Sequence, residues 1–508
     1  MKKLTMFVVL QALTVAMGSA QAATITRVYG FTTGTGYAPN APLIQASDGN
    51  FYGTTSTGGD DGAGCGGACV GTVFKLTPQG QLTVLYTFAY GSAAAPYANG
   101  RTPLGGLVEG PDGYLYGTTN QGGVPFSSYG VIYKISKTGQ FQKIHDFCPS
   151  SPCPDAANPE GSLVFGRDGK LYGTSTSPIQ MPRIFRISTS GTYEVLANLY
   201  NTSLGTPQKG LTLASDGNLY GLARFGVYRL NPGGGVTTLY LFATQPNDGI
   251  DGNGPLIQGV DGNLYGATHG GGTGGAGTVF RISLSGTYQK IFDIVGATEG
   301  VFANAVIQTS NGNLWGTTTN NSGAGGGGAV YSITTGGALI EATFLTNTTG
   351  RSPQAPLIQA NDGRLYGTAS TAGPDFGGTV YVVDAGLAPP APGAAGPPSS
   401  PMLVTSYDKA TGAIGVSYGL ACYAPDHHIV FGPLAGVATY AYTGQACLLG
   451  KSGAATFNPG AGDYFWVIVG NTTTLEGSYG RASNGTERPP APSLAGCPYT
   501  QDLSTACP

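Results

Sequence analysis

The chain has 508 residues, of which only 10% are Asp, Glu, Lys or Arg, with 86 glycines and a formal net charge of −3. Globular chains ordinarily carry about 25% charged residues, so this composition describes a rigid, uncharged body suited to secretion. No basic patch is present to neutralise phosphates, which excludes nucleic acid as a partner.

Residues 1–22 carry Lys2 and Lys3, then an apolar stretch over residues 4–17, then Ala20-Gln21-Ala22 before a cleavage point. That order predicts a signal peptide, and with it a secreted, extracellular or cell-surface protein. No other segment is apolar for long enough to span a bilayer, so no membrane span is expected in the mature chain.

From residue 23 onward the phrase DGxLYGT or a near copy returns seven times, beginning at Asp48, Asp112, Asp168, Asp216, Asp261, Asn311 and Asp362, at intervals of 45 to 64 residues. The fullest copy reads PLIQASDGNFYGTT, then a glycine-rich stretch, then GTVFKLTPQGQLTVLYTF. PLIQ is read as strand a, FYGTT as strand b, GTVFKL as strand c and LTVLYTF as strand d. Asp-Gly between apolar runs predicts a type I′ hairpin from a to b. Runs such as Leu115-Tyr116 do not alternate between apolar and polar, which suits a sheet covered on both faces. Repeats of this length, each a set of four short strands, are the signature of propeller blades.

Strand counting sharpens this reading. Seven a-b-c sets are present, but a d strand follows only the first six. The missing one lies at the other end, where TITRVYGF, residues 24–31, matches strand d and precedes the first PLIQ. The prediction is an all-β fold, a seven-bladed β-propeller of 28 strands over residues 23–385, closed by pairing of its N- and C-terminal strands. Such closure removes exposed sheet edges.

Residues 386–401, GLAPPAPGAAGPPSSP, read as a semi-rigid linker. Short apolar runs between turn residues over 402–485 predict a small β-sandwich of immunoglobulin or fibronectin type III kind. Residues 486–508 form a proline-rich tail. Eight cysteines in an exported chain suggest local disulfides, most simply Cys65 with Cys69, Cys148 with Cys153, Cys422 with Cys447 and Cys497 with Cys507. Zinc is the weaker reading, because these spacings lack nearby histidines.

The phrases DGNLYGTT, GTVFKL and LYTF, over roughly residues 24–385, resemble the GloVer tandem repeat of bacterial extracellular proteins, the choice-of-anchor family. The resemblance implies export, a repeat-built β domain and a C-terminal element for anchoring or sorting, and it brings no catalytic residues. The chain departs from an anchored member in ending YTQDLSTACP, with neither a hydrophobic segment nor a basic terminus.

The a-b and c-d turns are short, whereas the b-c and d-a connections vary in length and emerge on one face. Function generally sits on variable loops held by a rigid scaffold, so this face is the candidate surface. It carries Asp60, Asp61, Tyr97, Arg101, Asp155, Glu160, Asp248, Asp251, His269, Glu299, Phe302, Arg351 and Asp375. One position at the top of strand b reads Ser56, Asn120, Thr176, Arg224, His269, Thr319 and Ser370 around the ring. Five are small and polar, as a solvated rim of the channel mouth would be. Arg224 and His269, in adjacent blades, depart from them, and an imidazole beside a guanidinium suits a carboxylate or proton transfer. Asn120, Arg224, His269, Arg101 and Tyr97 are the candidate ligand-binding residues.

Other candidates are weaker. His145 in FQKIHDF reads as structural, and His427-His428 are adjacent on a strand and so point to opposite faces. Asp248 and Asp251 offer oxygens to calcium but lack a distal bidentate Glu, so no cofactor is expected beyond that weak calcium site. The repeated Asp reads as turn chemistry and the repeated Tyr as interblade packing. No GxSxG elbow, HExxH helix, phosphate loop or dinucleotide fingerprint occurs. Two functions stay open. One is a non-enzymatic binding or adhesion scaffold for an extracellular polysaccharide or surface protein. The other is a polysaccharide lyase or hydrolase with catalytic His269 and Arg224.

Overall fold

The computed structural model describes the ring over residues 23–390, except 61–69, 91–96, 125–128, 151–152, 154, 177–181, 201, 321–326 and 374–375, and beyond it strand segments between residues 403 and 501. Among the described residues there is no helix. Seven four-stranded antiparallel sheets follow one another as blades. In blade 1, strand a is Ile44–Gln45, b is Phe51–Thr55, c is Thr72–Leu76 and d is Leu82–Thr87. Closure follows the strand count. Thr24–Gly30 pairs antiparallel with Thr379–Asp384 and completes the seventh blade, beside Leu365–Ala369 and Ile358–Gln359.

The core is divided among the blade junctions. Buried apolar residues fall into seven clusters, each drawn from two neighbouring blades. The closing junction holds Phe31, Leu43, Phe51, Phe74, Tyr366 and Val382. Strand b is buried along its whole length in blade 1, which is why its sequence does not alternate.

The a-b turn differs from the type I′ hairpin expected. Only the glycine takes positive φ (Gly49, 85°). Its N–H donates to Ala46 O, and Ala46 N–H donates to Asn50 O. This is a longer loop, a type I turn followed by a left-handed glycine, in which the residue before glycine keeps ordinary φ. The repeat aspartate then does two things. Asp48 Oδ1 accepts the Asn50 N–H at 3.1 Å, and Oδ2 accepts the Tyr52 hydroxyl at 2.8 Å. The same tyrosine bond recurs at Asp112–Tyr116, Asp168–Tyr172, Asp216–Tyr220, Asp261–Tyr265 and Asp362–Tyr366. Each ring packs into the junction with the next blade, as Tyr52 and Tyr116 do. Where tyrosine becomes Trp315, aspartate becomes Asn311, so the carboxylate is absent from the one copy that lacks the hydroxyl.

Hydrogen bonds between blades repeat as well. Thr54, Thr118, Thr317 and Thr368 donate to the carbonyls of Gly105, Gly161, Ala355 and Ala41, just before strand a of the next blade. On the turn face, Glu109, Gln258, Gln308, Gln359 and Gln45 accept the N–H groups of Ser47, Ser215, Val260, Ser310 and Asn361 in the preceding blade. The last bond of each series crosses the closure.

Beyond the ring, Leu403–Tyr407, Ile414–Ser417 and Ala454–Phe457 form one sheet. A second contains Gly444–Ala446, Asp426–Pro433, Tyr464–Asn471, Leu475–Glu476 and Thr500–Gln501. The last pair is parallel, so a segment expected as tail supplies a strand.

Candidate ligand site at the junction of blades 4 and 5

Antiparallel order puts the b-c and d-a connections on one face, and there the approach to strand a holds a strained residue. Ala38, Thr102, Asn158, Asp251 and Ser352, each ten residues before the repeat aspartate, have φ of 53 to 56°. Such a conformation costs a non-glycine residue on the order of 1–3 kcal/mol and persists only where surroundings fix it. Here the surroundings are backbone bonds. Ala38, Thr102, Asn158 and Ser352 donate to Gly377, Val70, Tyr129 and Gly327 of the preceding blade, and accept from Ser56, Asn120, Thr176 and Ser370 of their own. The hydroxyls of Ser56, Thr176 and Ser370 bond to the same carbonyls.

Three of these five small polar residues are therefore buried in the ring, while Thr176 and Thr319 stay partly exposed. Ser56, Asn120 and Ser370 are 4%, 8% and 7% exposed. Asn120 is thus nearly buried, and it does not line the cavity that Arg224 and His269 share.

Arg224 and His269 break this pattern and line one open cavity of about 340 Å³, with Gln208, Asp251 and Asn253. Arg224 Nε donates to Asp251 Oδ1 at 2.9 Å. The imidazole of His269 stacks on Phe302, with ring centroids 4.4 Å apart and planes at 5°. Burial pushes the His269 pKa down, Lys209 adds to this, and Asp251 opposes it. The ring is therefore neutral at pH 7, and neither nitrogen is engaged by a carboxylate or a tyrosine hydroxyl among the described residues.

On the ring axis lies a narrow channel, about 30 Å³, lined by Asn40, Glu160, Lys209, Asn253, Asn304 and Gln354 among others. Asn253 lines both spaces. Sequence reading missed Lys209. The signal was there: seven residues before the repeat Asp or Asn the copies read Ala41, Gly105, Gly161, Lys209, Gly254, Asn304 and Ala355. Burial pushes the Lys209 pKa down, against the pull of Glu160.

The remaining candidates lie elsewhere. Arg101 sits over the Tyr97 ring at 4.7 Å, away from the cavity that Arg224 and His269 share. Asp248 accepts from the Tyr240 and Tyr288 hydroxyls, while Asp251 pairs with Arg224, so the two carboxylates serve different partners. Among the described residues no group of three or more His, Cys, Asp or Glu is placed to hold a metal. His145 Nε2 meets Asp155 Oδ2 at 2.8 Å and stacks on Tyr193, a structural setting. Cys148 and Cys153 are disulfide-bonded. Cys65, Cys69, Asp61, Asp375, Cys422, Cys447, Cys497 and Cys507 lie outside the described residues, as do the side chains of His427 and His428.

The Gloeobacter/Verrucomicrobia repeat profile matches residues 14–180 and 225–388. The chain belongs to that family. Its GloVer repeat is thus the unit that builds the blades. No curated protein matches the chain. Among solved structures it is similar to a catalytically inactive virginiamycin B lyase from Staphylococcus aureus, at 17% identity and TM-score 0.49, over 71% of this chain and 99% of that one. It is also similar to the extracellular domain of a one-component system of B. thetaiotaomicron, at 16% identity and TM-score 0.45, over 89% and 56%. A gluconolactonase from Xanthomonas campestris follows at 13% identity and TM-score 0.32, over 52% and 83%. Likeness this distant carries neither a site nor an activity across.

Proposed function

We propose that this GloVer repeat protein is an exported, non-enzymatic scaffold that binds an extracellular polysaccharide on the variable-loop face of its propeller. The cavity between Arg224 and His269 carries the reading. Its guanidinium is engaged by Asp251 and its imidazole by Phe302, so polar groups are fixed in position and no acid–base pair is set across them. The same face presents aromatic rings to solvent: Tyr90, Tyr200, Phe225 and Phe376 are 47%, 50%, 49% and 83% exposed. Exposed aromatics on loops are common binding anchors. Export is supported by the sequence of residues 1–22 and by the bonded Cys148–Cys153 pair, since disulfides persist in oxidising compartments.

One observation favours the second reading, a polysaccharide lyase. His269 is neutral and its ring nitrogens are unengaged, as a general base requires. Incubation with insoluble polysaccharides separates the two. Depletion of protein from solution without released sugar supports the scaffold. Released oligosaccharide that disappears in His269→Ala makes the protein an enzyme.

A further inference from the structure

Lys209 stands where five of the seven copies have alanine or glycine and one has Asn304, and it is the one cation of that series. It lines the channel, and among the described residues it makes no hydrogen bond and no ion pair. Lys209 is half-buried and its ammonium has no hydrogen-bonded partner, so a bound anion would supply one. Glu160 lines the same channel and attracts the ammonium from a distance, without a hydrogen bond. The dimensions select the ligand's shape. About 30 Å³ admits one small group such as a carboxylate and excludes a sugar ring, whereas the 340 Å³ beside it admits a ring. There the Arg224 guanidinium spends Nε on Asp251, which leaves its terminal nitrogens as donors.

We infer that cavity and channel form one site for an acidic sugar, an oligosaccharide ending in a carboxylate that enters the channel against the Lys209 ammonium while its ring lies between Arg224 and His269. This rests on the binding reading above and names its ligand class. Glu160 opposes the ligand's charge, so it limits affinity and favours release.

The test is calorimetric titration of a uronate-terminated disaccharide and its neutral counterpart into the full protein, Lys209→Ala and Glu160→Gln. Alanine already occupies the position at Ala41 and Ala355, so Lys209→Ala is expected to fold, and a melting curve checks this. The expected result is a preference for the uronate of about 10-fold or more, lost in Lys209→Ala and enlarged in Glu160→Gln. Equal binding of both sugars, unchanged in Lys209→Ala, overturns the inference and leaves the scaffold standing. Binding of neither sugar overturns the inference, and failure on the polysaccharide panel as well overturns the scaffold.

Discussion

The turn face and the loop face of this ring are built from the same seven repeats, yet they use side chains in opposite ways. On the turn face the repeated polar groups are consumed internally: aspartate by its own turn and tyrosine, glutamine by the neighbouring blade's N–H. On the loop face Ser56 and Ser370 are consumed likewise, whereas Arg224 commits only Nε, to Asp251, and His269 only its ring face, to Phe302. The same sector loses other repeated bonds. Leu222 and Ala267 replace the interblade threonine, and Phe165 and Leu213 replace the glutamine or glutamate. In this repeat protein the copies stop agreeing around the proposed site, where Arg224 bridges to Asp251 of the next blade through Nε alone.

The comparison breaks first at closure. Deleting residues 23–31 removes the outer strand of blade 7 and the buried Phe31, and exposes the edge of Thr379–Asp384. The expected outcome is loss of cooperative unfolding by calorimetry, with aggregation. A melt within about 2 °C of the parent would show that the closing strand adds nothing.

Next in size is a single repeated bond. Thr368→Val removes the buried hydroxyl that donates to Ala41 O at 3.0 Å, and leaves that carbonyl without its partner. The cost is expected at about 1–3 kcal/mol in denaturant unfolding. Leu222→Val, at the junction that never had this bond, should cost less.

The tyrosines sharpen the contrast through pH. Tyr220 and Tyr265 are pushed up to about 12, by burial first and then by the Asp216 and Asp261 carboxylates. A folded-state pKa above the unfolded value of 10.0 means that the fold favours the neutral phenol. That stability is complete below pH 10.0 and is lost as pH rises to about 12. Ultraviolet titration of phenolate should therefore rise together with loss of the fold in this window. Full ionisation near pH 10.0 with the fold intact would contradict the buried Asp–Tyr bonds.

These effects also show why some features were legible and others were not. The blades could be read because turn and core residues recur at fixed spacing, and closure could be read because a count of strands came out one short. The turn type could not, since Asp48-Gly49 suits both a two-residue and a longer hairpin, and the choice depends on Ala46 and Asn50 meeting. The role of Ser56, Thr176 and Ser370 was hidden because their partners are backbone carbonyls, which leave no mark in sequence. Lys209 was hidden because it lies within a strand, Pro207–Leu213, rather than on a variable loop.

The smallest expected effect on stability tests the argument most directly. Arg224 and Asp251 form an exposed pair, with side chains 55% and 44% accessible. Exposed pairs contribute about 0–1 kcal/mol, so Arg224→Ala should leave the melting temperature nearly unchanged. The strained Asp251 stays held by the backbone, because Gly252 N–H still donates to Arg224 O. If Arg224 serves the ring, as its counterparts Ser56 and Ser370 do, its loss destabilises the protein as theirs would. If it serves a ligand, stability is unaffected and retention on polysaccharide falls. A large loss of stability with full retention would return Arg224 to the scaffold.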